Sequence, residues 1–499
     1  MDGSFFKLTQ NGDRMVIIKK EKFTSEKSVL YVKNKQTEEK KVVSEGTDTD
    51  VLNNDINLEL GIAVDIGTTS IAIGIFDIKR GSLIGNQTRT NCQTMYGSDV
   101  MMRIMHCING KEQLLHDILI EQIEDIIGSI LDNNNIQSKI SSKIASKEGA
   151  KIPDIVIKKM VVVGNTTMCH IYLNKDLTGL KGAPFSVAYE GVYRTNSYDI
   201  GFKIYDIDEV IVLPNIMAHV GADAAAVLCK EKMYKTGINE IAIDIGTNAE
   251  ILLNCSGKVF VTSTAAGPAF EGKGIHSGMR AAPGAINSVK ISRVNGNIIL
   301  GMLNDGKVEN PRGLCGSGLI DAISELMKAR LLKKDGYLLT REEALRQNVN
   351  INLCEHLKSD DKDGNCFILS KENNIVITQK DIRNVQLAKG AIQAGCEILL
   401  EKAGIGLNDI NSIKIAGVFG KYIHVSQAMN FGLFPKYPGK LENVGNAAGD
   451  GAAMALFEDG FIDEMEKQVK KVHHVELAGE KDFQKKFMNA MELKEWYYN

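Results

Sequence analysis

A ten-residue pattern occurs twice in this 499-residue chain, and it constrains the architecture more than any other feature. Gly61-Ile-Ala-Val-Asp-Ile-Gly-Thr-Thr-Ser70 returns as Glu240-Ile-Ala-Ile-Asp-Ile-Gly-Thr-Asn-Ala249, so Asp65 and Asp244 stand 179 residues apart. Each copy reads as a buried strand, a Gly-Thr turn and a second strand, the second being Ile71–Phe76 in one case and Ile251–Leu253 in the other. A second pair follows the first. Lys159-Met-Val-Val-Val-Gly-Asn-Thr-Thr167 and Ser412-Ile-Lys-Ile-Ala-Gly-Val-Phe-Gly420 are both apolar strands that run into a glycine turn and a helix. A duplication of this kind predicts two similar lobes, each an α/β sheet with helices on both faces. The boundaries expected are 59–239 for the first lobe and 240–499 for the second, which ends in a helical segment. Apolar residues recurring every three or four positions predict core-facing helices over Leu114–Leu131, Gly318–Leu332 and Asp381–Ala403.

Residues 1–58 differ from the rest. Lysines alternate there with short β-type runs, Met15–Ile18 and Val29–Val32, before a polar linker from Ser44 to Asn57, which reads as a small β-containing appendage. The charge is nearly balanced, 59 Lys and Arg against 62 Asp and Glu, which argues against nucleic-acid binding through phosphate contacts. No run of 18 uncharged apolar residues is present to span a membrane, and no signal peptide or lipidation motif is visible, so a cytoplasmic location is expected.

The repeated turn has a chemistry of its own. Gly67 and Gly246 let backbone approach a ligand closely, and the turn amides with the hydroxyls of Thr68, Thr69 and Thr247 offer donors to phosphate oxygens. Asp65 and Asp244 leave a carboxylate at each strand end, suited to Mg²⁺ held through water. One such turn is an ordinary hairpin; two facing turns can grip the β- and γ-phosphates of a nucleotide with the metal between them.

These motifs resemble the phosphate motifs of the superfamily that holds actin, hexokinase-type sugar kinases and the heat-shock chaperone ATPases. The resemblance implies a two-lobed actin-like ATPase fold. It also implies an adenosine site at Ile413–Gly420, where Gly417 and Gly420 would let the base and ribose lie on backbone. Small-residue interlobe helices would open at Gly164-Asn-Thr-Thr-Met168 and at Gly445-Asn-Ala-Ala-Gly-Asp-Gly-Ala-Ala453.

Longer stretches narrow the match. Leu213–Asp223, Thr264–Gly272, Gly278–Ile286 and Gly313–Asp321 are similar to ATP-dependent reductive activators of corrinoid proteins. That family implies ATP and Mg²⁺ as ligands and a corrinoid protein as partner, whose Co(II) is returned to the Co(I) used in methyl transfer. Members usually carry an iron-sulfur domain. Here nine cysteines stand singly at 92, 107, 169, 229, 255, 315, 354, 366 and 396, with no iron-sulfur or zinc spacing, so a separate low-potential electron donor is expected. Two other readings remain open for such a cleft: a small-molecule kinase, and a nucleotide-gated regulator that binds a corrinoid protein.

Several residues take candidate roles. Asp65, Asp244 and Asp223 are the catalytic candidates, with Asp223 either orienting the attacking water or capping the helix that follows it. Asn248 and Glu250 could reach a metal-bound water or be strand residues facing solvent, and Gly316, in the Gly-rich turn, is a candidate to contact the nucleotide. Ser317 is expected to cap its helix, Cys315 to be a small buried filler, and His219, His473 and His474 to be structural.

Overall fold

The structure, a computed structural model, describes residues 18–22, 30–32, 41–43, 58–97, 99–133, 155–304, 306, 308, 310–360, 363–417, 423–437 and 439–497. The expected linker at Ser44–Asn57 and the residues Met15–Ile17 lie outside them.

Two six-stranded sheets share one topology. The first is ordered Ser82–Thr90, Ser70–Asp77, Leu58–Ile66, Ile155–Gly164, Ile207–Val212 and Tyr193–Thr195. The second is ordered Lys258–Thr264, Ala249–Cys255, Asn239–Ile245, Ser412–Ala416 and Lys440–Gly445, with the short His473–His474 outside Lys258–Thr264. In each, an antiparallel meander of three strands joins two further strands in parallel. Asp65 lies opposite Val163 on its parallel neighbour, and Asp244 opposite Ala416 on its own. The repeat in the sequence is thus a repeat in the sheets, because the apolar run Ile-Ala-x-Asp-Ile must be covered on both faces.

Helices form where the apolar periodicity placed them, at Glu112–Asn133 against the first sheet, Gly316–Lys328 against strand Ala285–Ile291 of a separate four-stranded sheet, and Gln379–Ala403 against the second. The last begins two residues before Asp381 because Thr378 caps it: its side chain accepts from the Asp381 N–H while the Asp381 carboxylate accepts from the Thr378 N–H. Gly404, left-handed at φ 71°, ends it. The helix expected to reach Leu332 stops at Lys328, since Arg330 takes a left-handed φ of 62° and turns Leu331 and Leu332 into the second core by another route.

Of the amino-terminal appendage, Ile18–Lys22 adds in parallel to Ile298–Asn304, and Leu30–Val32 pairs with Lys41–Val43. No helix among the described residues is long and apolar enough to cross a membrane.

The chain returns to its first lobe near the end. Helix Ala447–Phe457 and helix Phe461–Val469 place Ala448, Ala452, Leu456 and Met465 in the core built on the first sheet. The packing partner of Ala447–Phe457 is helix Ala222–Lys230, not the helix that opens at Gly164. A methyl added at Gly451 would lie 2.8 Å from the Ala226 Cβ and 2.9 Å from its carbonyl oxygen, so the two helices touch through backbone. Gly451→Ala is therefore expected to lower stability by about 1–3 kcal/mol through overpacking, read as a drop in melting temperature. An unchanged melting temperature would mean that the two helices separate without cost.

Candidate active site

The two repeated turns meet. The Thr69 hydroxyl lies 2.7 Å from the Thr247 hydroxyl, both buried, so the hairpin tip of one lobe is bonded to the tip of the other. Each turn is closed by its glycine N–H, that of Gly67 donating to the Ser70 carbonyl at 2.8 Å and that of Gly246 to the Asn248 carbonyl, one position earlier in the repeat, at 2.9 Å. A Cβ on Gly67 would be 2.8 Å from that Ser70 oxygen, which excludes any other residue without a shift of backbone. Thr68 has its own partner in Asn165, whose side-chain amide donates to the Thr68 hydroxyl at 2.9 Å. Three of the hydroxyls expected to face phosphate are thus already hydrogen-bonded to protein groups.

Around this contact lies a cavity of about 340 Å³. It is lined by Asp65, Gly67, Thr68, Thr69, Asp223, Asp244, Gly246, Thr247, Asn248, Gly316 and Gly417, which brings together every candidate named from the sequence for nucleotide and metal except Gly420. Gly420 lies outside the described residues. Gly417, at φ 96°, needs its missing side chain, since a Cβ would come within 2.7 Å of the Ile245 carbonyl and 3.0 Å of the Asp244 carboxylate.

Sequence reasoning left other wall residues without a role. Glu271, Arg280, Asn165 and Asn446 all line the cavity. Asn165 and Asn446 each follow a parallel strand and cap the next helix, at Met168 N–H and Gly449 N–H, although Ile155–Gly164 borders the repeated strand of its sheet and Lys440–Gly445 lies one strand further out. The twin Gly-Asn turns were the signal in the sequence that could have found them. Glu271 and Arg280 lie within quoted motifs, but nothing local marks them, because their partners sit in other segments. Ser317 departs from expectation. Cys315 is the N-cap of helix Gly316–Lys328, and Ser317, one step inside it, is buried against the cavity. Asp223 does not cap either: Gly221 holds the N-cap position of Ala222–Lys230, so the Asp223 carboxylate lies in the first turn, accepting from the Ala224 N–H at 2.7 Å. His219 packs edge-on against Phe185 with centroids 4.4 Å apart, away from the cavity wall.

Five carboxylates, Asp65, Asp223, Asp244, Glu250 and Glu271, face this space, and the electrostatic consequence is large. Burial, with the Asp223 carboxylate added, pushes Asp65 up to about 7 against a hydrogen bond from Asn446. Burial lifts Asp223 to about 6, held lower by backbone N–H groups. Asp244 rises to about 8 from burial and then from Asp223, Asp65 and Glu271. Glu250 is driven well above the usual range by burial and by Asp223 and Asp244, whereas Glu271, also raised by burial, is restrained by the Thr247 and Thr69 hydroxyls. An all-oxygen set is the donor type that a hard divalent cation takes, and Asp65 and Asp244 are the residues that could hold one. No group of three or more His, Cys, Asp or Glu side chains arranged to hold a metal ion is found among the described residues.

The fold and this cleft define the class, a two-lobed actin-like ATPase with one repeated Gly-Thr turn from each lobe at the cavity. A family described as the C-terminal domain of RACo, the ASKHA domain, matches residues 239–498, and one described as the RACo middle region matches residues 60–236. The corrinoid activation enzyme RamQ of Eubacterium limosum is 34% identical over 445 residues, which span 86% of this chain and 69% of that one. A Co(II) methylated-amine-specific corrinoid protein reductase of Methanosarcina barkeri is 24% identical over 471 residues, 87% of this chain and 77% of its own. Among solved structures, a reductive activator for a corrinoid iron-sulfur protein matches with 28% identity and a TM-score of 0.74, covering 88% of this chain and 67% of that one. The chain belongs to the RACo family of corrinoid-protein reductive activators.

The raised carboxylates have a testable sign. Their native values of about 6 to 8 exceed the 3.8 of an unperturbed Asp, so between about pH 4 and pH 8 the native state holds more protons than the unfolded chain. Stability of the metal-free protein is therefore expected to fall as pH rises through this window, with a flatter profile for Asp244→Asn. Thermal melts from pH 5.5 to 8.5 check this, and a melting temperature that climbs with pH contradicts it.

Proposed function

We propose that the chain is an ATP-dependent reductive activator of a corrinoid protein, binding and hydrolysing ATP between its lobes while the partner's cobalt is returned from Co(II) to Co(I). The single observation that carries this reading is the bonded pair of phosphate turns at Thr69 and Thr247, facing a carboxylate-lined cavity, in a chain of this family.

The turn amides and the threonine hydroxyls are the groups offered to the β- and γ-phosphates, with Gly417 and Gly316 against the adenosine. Gly420 is proposed for the same face. Thr247 donates to the Glu271 carboxylate, so Thr69 is the donor of the Thr69–Thr247 bond, and a phosphate oxygen displacing that bond would give the Thr69 hydroxyl a charged acceptor in place of a neutral one. Asp65 and Asp244 would hold Mg²⁺, which supplies neutralising charge to the phosphates when bound. Asp223, raised by burial to about 6 and so mostly ionised near neutral pH, is the carboxylate proposed to orient the attacking water. Water adds to the γ-phosphorus and the bond to the β–γ bridging oxygen breaks, giving ADP and inorganic phosphate. Coupling requires that the partner bind the open and closed lobe states with different affinity, since otherwise ATP shifts nothing.

One electron reduces Co(II) to Co(I), and we assign it to a separate low-potential one-electron donor. The support is the spacing of the nine cysteines, which forms no cluster motif and leaves them as free thiols. Free thiols in this number also favour the reducing cytoplasm.

Mixing the protein with candidate Co(II) corrinoid proteins, Mg-ATP and a low-potential reductant, and following the cobalt absorbance, tests the reading. A Co(I) band that needs ATP is expected, and Asp244→Ala should slow its appearance by roughly 100-fold or more, the scale of losing a charge-stabilising group. Reduction at the same rate without nucleotide would refute ATP-driven activation.

A further inference from the structure

We propose that Arg280 reads the γ-phosphate, distinguishing ATP from ADP and stabilising the charge that develops in hydrolysis. This rests on the reading above and assigns the discrimination to one side chain.

Among the described residues lining the cavity, Arg280 is the single basic side chain, set against five carboxylates. It reaches there from the second lobe and donates from Nη2 to the Thr69 carbonyl of the first lobe's phosphate turn at 2.7 Å. That peptide belongs to the residue whose hydroxyl is bonded to Thr247, so the guanidinium sits on the lobe-to-lobe contact itself.

The backbone that carries Arg280 has no freedom to wander. A Cβ on Gly272 would be 2.3 Å from the Met279 carbonyl, and one on Gly278 would be 2.1 Å from the Gly272 carbonyl. The Met279 N–H donates to the Leu314 carbonyl at 2.8 Å, and the His276 N–H to the buried Asp381 carboxylate at 2.8 Å. A rigid stem with a long side chain at the cavity wall suits a group that must find one atom.

The acceptor it now has is a poor one for a guanidinium. The Glu271 carboxylate attracts the guanidinium from beyond ion-pair distance, and the neutral Thr69 carbonyl satisfies one of its five N–H donors. A phosphate oxygen forms charge-assisted bonds roughly twice as strong and matches the planar fork. Moving from the Thr69 carbonyl to a γ-phosphate therefore gains interaction energy and, in the same motion, frees the Thr69 peptide. ADP offers no such oxygen. Arg280 also borders an outer groove lined by Thr88, Arg89, Cys92 and Gln122, so its swing alters a second surface.

Calorimetric titration of Arg280→Ala and Arg280→Lys with Mg-ADP and with a non-hydrolysable Mg-ATP analogue, beside ATP turnover, tests this. For Arg280→Ala, affinity for the triphosphate should fall about 10- to 100-fold with ADP affinity held within about threefold, and turnover should fall roughly 100- to 1000-fold. Arg280→Lys, which keeps the charge but not the fork, should recover only part of each. Equal losses for both nucleotides would mark a merely structural latch and overturn the assignment, as would an Arg280→Ala protein that keeps its triphosphate preference. If the unaltered protein neither binds nor hydrolyses ATP, the underlying reading fails instead.

Discussion

The contact between the Thr69 and Thr247 hydroxyls sets the terms for everything around it. For two hairpin tips 178 residues apart to lie 2.7 Å from each other, the two sheets must end at the same level and face across one gap. Each hairpin carries an aspartate shortly before its tip, so joining the tips also gathers Asp65 and Asp244, and the helix that starts at Ala222 adds Asp223. Like charges brought together out of bulk water raise one another's proton affinity. Five carboxylates line a cavity that one arginine faces among the described residues, a state that a divalent cation would relieve.

Motion of such a cleft needs a joint that is close-packed without being locked. Helices Ala222–Lys230 and Ala447–Phe457 meet through alanine and glycine, which bring their backbones near. Beside them runs an ionic chain. Lys414 lies 3.3 Å from Glu231 and 3.4 Å from Glu240, and Lys230 lies 2.8 Å from Glu231 and 3.5 Å from Asp450. Half-buried pairs of this kind add little net stability, but removing one member strands another, so they fix geometry more than they hold the fold. The network ties the end of the first lobe's helix to two strands of the second sheet and to the returning helix, at the root of the cleft.

How much of this could be read from the chain depends on whether the cause was local. The aspartates, glycines and threonines of the repeated turns were legible because their spacing encodes a hairpin and its chemistry together. Ser317 was misread because capping was judged from the residue type, whereas the cap position depends on where the preceding strand Gly313–Leu314 delivers the chain. Asp223 shows the same limit: Gly221 takes the cap because a Cβ there would lie 2.4 Å from the Gly164 carbonyl, a contact with a segment 57 residues away. Glu271 and Arg280 were invisible as site residues, since Glu271 accepts from Thr247 in a segment 24 residues away and Arg280 meets Thr69 only across the two lobes.

The sequence alone determined that there would be two lobes, because apolar strands broken by an identical Asp-x-Gly-Thr turn must be buried and turned in the same way wherever they occur. It also determined the donor chemistry of the cleft, which is a property of residue types at fixed offsets. Only the tertiary structure decided that the turns bond to each other, that Ala447–Phe457 rejoins the first core, and that a single guanidinium stands among five carboxylates. Those outcomes depend on contacts between segments far apart in the chain, whose geometry is settled by packing and by where charge can be buried, and no window of sequence contains that information.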